Sequence, residues 1–220
     1  MVSRNDSWSE MAQAFAFIGN SLLKPINLTE SIGLSEEFWA AFPTFGNASV
    51  EKGADILQVY CRESASLDVV DAVIRCAKEQ TGLFIYSGST LFVPPWETLY
   101  RGGEREICFG QATVEMKSWL AGLNLKVKEG NHQYEDHIGI ELLCLSALCE
   151  RMAGPGSACV GHVTRFIGEH PGRWLSQLHD AVSLAKPKGY VDGLLWIAEG
   201  MLECALAMDE EALANMVSAA

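Results

Sequence analysis

Asp136-His-Ile-Gly-Ile-Glu-Leu-Leu-Cys-Leu-Ser-Ala-Leu-Cys-Glu-Arg-Met152 decides the fold. Ile138, Ile140, Leu142, Leu143, Leu145 and Leu148 put hydrocarbon on nearly every side of a helix, and such a helix is stable only when enclosed by others. The polar stretch Lys126 to Tyr134 precedes it and Gly154-Pro155-Gly156 ends it.

Working outward, the period stays helical. Ser7 and Glu10 read as a capping box, followed by Trp8, Met11, Phe15, Ile18 and Leu22 on one face until Pro25. Ser35 caps a short segment with Phe38, Trp39 and Phe42, closed by Pro43. A third helix runs from 49 to 62 with Ile56, Val59 and Tyr60 inward. Ser66 caps a fourth whose inner stripe is Leu67, Val70, Val73, Ile74 and Ala77, with Gly82 as its stop. Beyond the quoted stretch come helices over 157–168, around Trp174 to Val182, over 190–208, and a frayed tail from Glu210 to Val217.

Residues 83–106 break the pattern with glycines, the Pro94-Pro95 pair and several aromatics. A loop this long and this apolar is a functional candidate. Helical period resumes at Gln111, with Val114, Met116, Trp119 and Leu120, and halts near Gly122. The expectation is an all-α fold: a single globular domain over residues 1–220 with about nine to eleven helices.

Sixteen basic against 28 acidic residues give a net charge of −12. That surface repels nucleic acid and anionic lipid and attracts basic peptides. No apolar run reaches the roughly 18 residues of a membrane span, and the N-terminus lacks a signal pattern, so a cytoplasmic location without membrane insertion is expected. Seven scattered cysteines with no C-x-x-C pair fit reduced thiols used as small hydrophobes.

Motifs for chemistry are missing. No glycine fingerprint follows a strand, and Gly156-Ser-Ala-Cys-Val-Gly-His162 lacks the lysine of a phosphate loop. His132, Asp136, His137 and Cys144 match no standard metal-ligand spacing. The reading assigns no catalytic residue, metal or cofactor.

Three segments, in order, carry a resemblance. Leu83-Phe84 is followed after a glycine loop by Val93-Pro-Pro-Trp-Glu-Thr-Leu-Tyr100; Asp136-His137 opens the central helix; and Phe166, His170 and Trp174 form F-x-x-x-H-x-x-x-W. Together they resemble the TorD/DmsD family of molybdoenzyme-maturation chaperones, over roughly residues 8 to 205. Gln133 and Tyr134 stand where that family's E-P-x-D-H motif has Glu-Pro. The resemblance implies a TorD-like helical fold, no enzymatic activity, and binding of the twin-arginine leader and apoenzyme of a molybdopterin oxidoreductase until cofactor loading. It places that binding at Phe84, Pro95, Trp96, Tyr100, Gln133, Asp136, His137 and Glu141. It also leaves room for a guanine nucleotide.

The chemistry of such a leader asks for carboxylates to meet guanidinium forks and an apolar surface for the run that follows. Trp96 and Tyr100 share a face if their segment is helical, as partner contacts or as core. Asp136 fits a receptor carboxylate and equally a helix N-cap, and His137 a peptide donor or a core histidine. Phe166, His170 and Trp174 fall on one helical stripe, which reads as packing. Two alternatives remain: a NarJ-like assembly chaperone for a respiratory reductase with a remnant leader, and a nucleotide- or metal-dependent hydrolase using Asp136 and His137.

Overall fold

The computed structural model describes residues 4–29, 31–101, 109–127, 132–154 and 159–219. Among them are nine α-helices: α1 Arg4–Leu23, α2 Glu36–Ala40, α3 Ala48–Ser64, α4 Val69–Phe84, α5 Gln111–Gly122, α6 Ile138–Ala153, α7 His162–Glu169, α8 Leu175–Ala185 and α9 Tyr190–Ala219. The described residues contain no strand, only an isolated antiparallel bridge between Trp96 and His137. The all-α expectation holds.

The chain divides into two compact units. The first comprises Met1–Gly19, Trp96–Trp174 and Leu202–Ala220; the second comprises Asn20–Pro95 and Leu175–Met201.

In the first unit α6 is the centre. Ile138, Leu142, Leu145 and Leu148 are fully buried, each worth about 2 kcal/mol of transfer free energy. Gly19 lets α1 approach closely: a Cβ there would stand 2.9 Å from the Gly139 carbonyl. The expected stripe of α1 is buried from Trp8 to Leu22, but Ser7 lies inside the helix rather than at its cap, since α1 starts a turn earlier. The helix expected over 157–168 begins only at His162, and Ser157 lies outside the described residues.

The N-terminus of α7 is capped from far along the chain. Gly161, at φ +82°, has no side chain to cap with. Asp209 supplies the carboxylate instead: Oδ1 accepts from the Gly161 N–H at 3.0 Å, and Oδ2 from the Thr164 N–H at 2.9 Å. This role keeps Asp209 buried mid-helix, so α9 continues through the point where a break was expected.

In the second unit α3 and α9 cross through glycines. A Cβ on Gly53 would lie 2.6 Å from the Gly193 carbonyl and 2.7 Å from Ile197. Val50, Ala54, Leu57 and Cys61 form the buried stripe of α3, while Val59 is outward, against expectation.

The stripe expected on α4 is also rotated. Leu67, Val70 and Ile74 are exposed, and Ala72, Cys76, Glu79, Gln80, Leu83 and Phe84 face inward. The two polar residues are inside because they satisfy backbone ends. Gln80 donates to the Ser21 carbonyl at 2.8 Å and accepts from the Ile26 N–H at 2.7 Å. Glu79 accepts from the Val191 N–H at 3.1 Å, and burial pushes its carboxyl pKa up. Asp68, not Ser66, caps α4, and Gly82 lies within the helix, which runs on to Phe84.

Candidate functional site

The motif residues of the first unit converge on one buried polar network. The segment after Pro95 is laid against the start of α6 by the Trp96–His137 bridge and by the Glu97 N–H, which donates to the Asp136 carbonyl at 3.0 Å. It then makes a single 3₁₀ turn at Glu97–Leu99, so Trp96 and Tyr100 bracket that turn rather than share a helix face.

Asp136 is fully buried and committed on both oxygens. Oδ2 accepts from the Thr98 N–H at 3.0 Å and Oδ1 from the Thr113 hydroxyl at 2.9 Å. It ties the turn and α5 to the head of α6. The N-cap of α6 is the next residue: His137 Nδ1 accepts from the Gly139 N–H at 3.0 Å. Burial holds this imidazole neutral, with its pKa lowered to about 3. The Trp96 indole stands edge-on to it, 6.0 Å between centroids.

Beside this lies a cluster of Glu97, Glu141 and His170, all essentially without solvent exposure. Glu97 Oε2 sits 2.7 Å from His170 Nδ1, and its Oε1 accepts from Arg101 Nε at 2.7 Å. Arg101 also pairs with Glu115 and donates to the Glu169 carbonyl at 2.6 Å. Glu141 Oε2 accepts from the Trp174 indole N–H at 3.1 Å. Its Oε1, like His170 Nε2, has no hydrogen-bond partner among the described residues. Burial, and then the neighbouring Glu97, pushes the Glu141 carboxyl well above its ordinary range.

Glu97, Glu141 and His170 can bring three ligand atoms within 4.8 Å of one another, a donor set suited to a divalent metal. Glu97 is already neutralised by Arg101 and bonded to His170, which gives the cluster an internal account without an ion.

The eight residues singled out in the sequence therefore separate by access. Phe84, Pro95, Asp136, His137 and Glu141 are buried, while Trp96, Tyr100 and Gln133 are half-buried. Phe84 and Pro95 belong to the second unit, the other six to the first. Sequence reasoning missed Glu97, Arg101, His170 and Trp174 as members of the network. His170 and Trp174 do not continue a helical stripe from Phe166: α7 ends at Glu169, and a 3₁₀ turn at Pro171–Arg173 intervenes. That break swings Trp174 onto Glu141 and stacks it 5.1 Å from Tyr100. The sequence signal was present, since Glu97 lies inside the first motif and His170 and Trp174 inside the third.

The family model described as nitrate reductase delta subunit matches residues 48–180, well over half of the chain. No curated protein matches it.

Proposed function

Because this chain belongs to the nitrate reductase delta subunit family, a group of molybdoenzyme assembly chaperones, we propose that it binds the twin-arginine leader and apo form of a molybdopterin oxidoreductase and releases them after cofactor loading. It acts in the cytoplasm by binding, not by catalysis. The match across 48–180 carries the reading, because it takes in all three motifs.

The charge of −12 supports the leader half, since two adjacent arginines gain on approach to an acidic surface. No described helix is long and apolar enough to cross a membrane. On this reading Trp96, Tyr100 and Gln133 meet the apoenzyme, being the accessible members of the motif set.

The test is calorimetry with the leader peptide of the molybdoenzyme encoded beside this chain, and separately with its leader-deleted apo subunit. The expectation is binding of the peptide near micromolar, about −8 kcal/mol, weakening as salt rises. Peptide affinity indifferent to salt counts against arginine-carboxylate recognition. No heat from the peptide, with heat from the apo subunit, removes the leader from the reading.

The description of the matching family favours one second reading: the client is a NarJ-type respiratory reductase subunit carrying a remnant leader without the arginine pair. A scrambled-arginine peptide that binds as well as the native one selects it.

A further inference from the structure

The carboxylates and most aromatics of the motif set are interior, so an extended basic and apolar peptide finds little to grip there. The second unit offers a different surface. Between α3, α4 and the 3₁₀ turn at Ser31–Leu34 lies a groove of about 570 Å³ lined chiefly by Ile32, Leu34, Ala65, Leu67, Val69 and Ala72. Its apolar walls are open: Ile32, Leu67 and Val69 are 46%, 41% and 75% exposed. Val70 and Ile74, one turn apart on α4, extend the exposed hydrocarbon along the helix. Exposed apolar residues grouped in this way mark interaction surfaces.

The rim is acidic. Glu36 and Glu37 open α2 beside Ser35, Glu63 precedes Ser64, and Asp68 and Asp71 flank Val69. Glu36 pairs with Arg62 at 2.6 Å and Glu63 with Arg75 at 3.3 Å. Glu37, Asp68 and Asp71 form no ion pair among the described residues. An apolar trough with unpaired carboxylates at its edge fits a segment with hydrocarbon along one face and cationic side chains at its end.

We infer that this groove of the second unit is the docking site for the leader, the apolar run lying along Leu67, Val69 and Val70 and the arginine pair meeting Glu37 and Asp71. The inference rests on the leader-binding reading above. It assigns leader capture to residues of the second unit, whereas Trp96 belongs to the first.

The test uses the full chain and a fluorescein-labelled peptide of two adjacent arginines followed by a leucine- and alanine-rich run, read by fluorescence anisotropy. Val69→Glu with Val70→Glu changes only exposed side chains, and circular dichroism should show an unchanged helical signal. The expected result is at least about tenfold weaker binding. Glu37→Gln with Asp71→Asn is expected to weaken binding about threefold or more at low salt and to flatten its salt dependence. Wild-type binding that neither groove pair alters overturns the groove alone and leaves the leader reading intact. No binding by the wild-type chain overturns both.

Discussion

The indole N–H of Trp174 donates to Oε2 of Glu141 at 3.1 Å in an interior where neither residue meets solvent. Burial raises the Glu141 pKa and the nearby Glu97 raises it further, against the Trp174 bond, which favours the carboxylate.

Stability should therefore respond to pH through Glu141. Its folded pKa lies above the ordinary 4.5, so the folded chain keeps a proton that the unfolded chain gives up as pH rises. Wild type loses stability from about pH 4.5 upward, by as much as about 1.4 kcal/mol per pH unit until the folded form also ionises. Glu141→Gln lacks this term. In urea melts the variant should gain on wild type as pH rises above about 4.5; a constant gap would mean that Glu141 ionises normally in the fold.

His179 acts in the same direction, at higher pH. It is buried, which alone would lower its pKa, but Asp192 and Glu199 outweigh burial and raise it to about 9. Glu199 lies 2.7 Å from Nδ1 and Asp192 3.4 Å from Nε2. The stabilisation is complete below the ordinary 6.5 and disappears as pH climbs through about 9. His179→Gln should cost about 2 kcal/mol at pH 6, discounted for solvent reaching Glu199, and much less at pH 9.5. Equal losses at both pH values would contradict the charged pair.

Asp136→Asn keeps the shape and one acceptor but turns an amide N–H₂ on either Thr98 N–H or Thr113 Oγ1. The expected loss is about 1–3 kcal/mol, read as a lower urea midpoint at unchanged m-value. A double-mutant cycle with Thr113→Val should show coupling of at least about 0.5 kcal/mol. Independent losses would place the hydroxyl elsewhere.

Gly53→Ala raises helix propensity by about 1 kcal/mol. The structure nevertheless calls for destabilisation, since the new methyl would stand 2.6 Å from the Gly193 carbonyl on a packed helix. A net loss of about 2 kcal/mol is expected in thermal or urea unfolding. A stabilised variant would show that α3 and α9 can separate at no cost.

Helical class and the order of elements were legible because apolar spacing reports burial directly, as for Trp8 to Leu22. The phase of α4 was not legible. Its inner face carries Glu79 and Gln80, whose partners Val191, Ser21 and Ile26 are remote in sequence, so polarity misreports their side. The site divides in the same way. The motifs named the right segments, and Asp136 and His137 are both structural ends of α6. Which of them caps the helix is fixed by Thr98 and Thr113, which draw Asp136 away. The Glu97–His170 contact spans 73 positions and leaves no local periodicity to detect.

Asp209 holds the start of α7 from 45 to 48 positions downstream. During synthesis that carboxylate emerges from the ribosome after every residue it secures. The segment carrying His170 and Trp174, which follows α7 directly, thus waits on late-made chain for its anchoring. Fragments ending before residue 209 should show the first turn of α7 exchanging amide hydrogens faster than in the full chain. Whatever depends on a settled first turn of α7 is thereby timed by translation of residue 209.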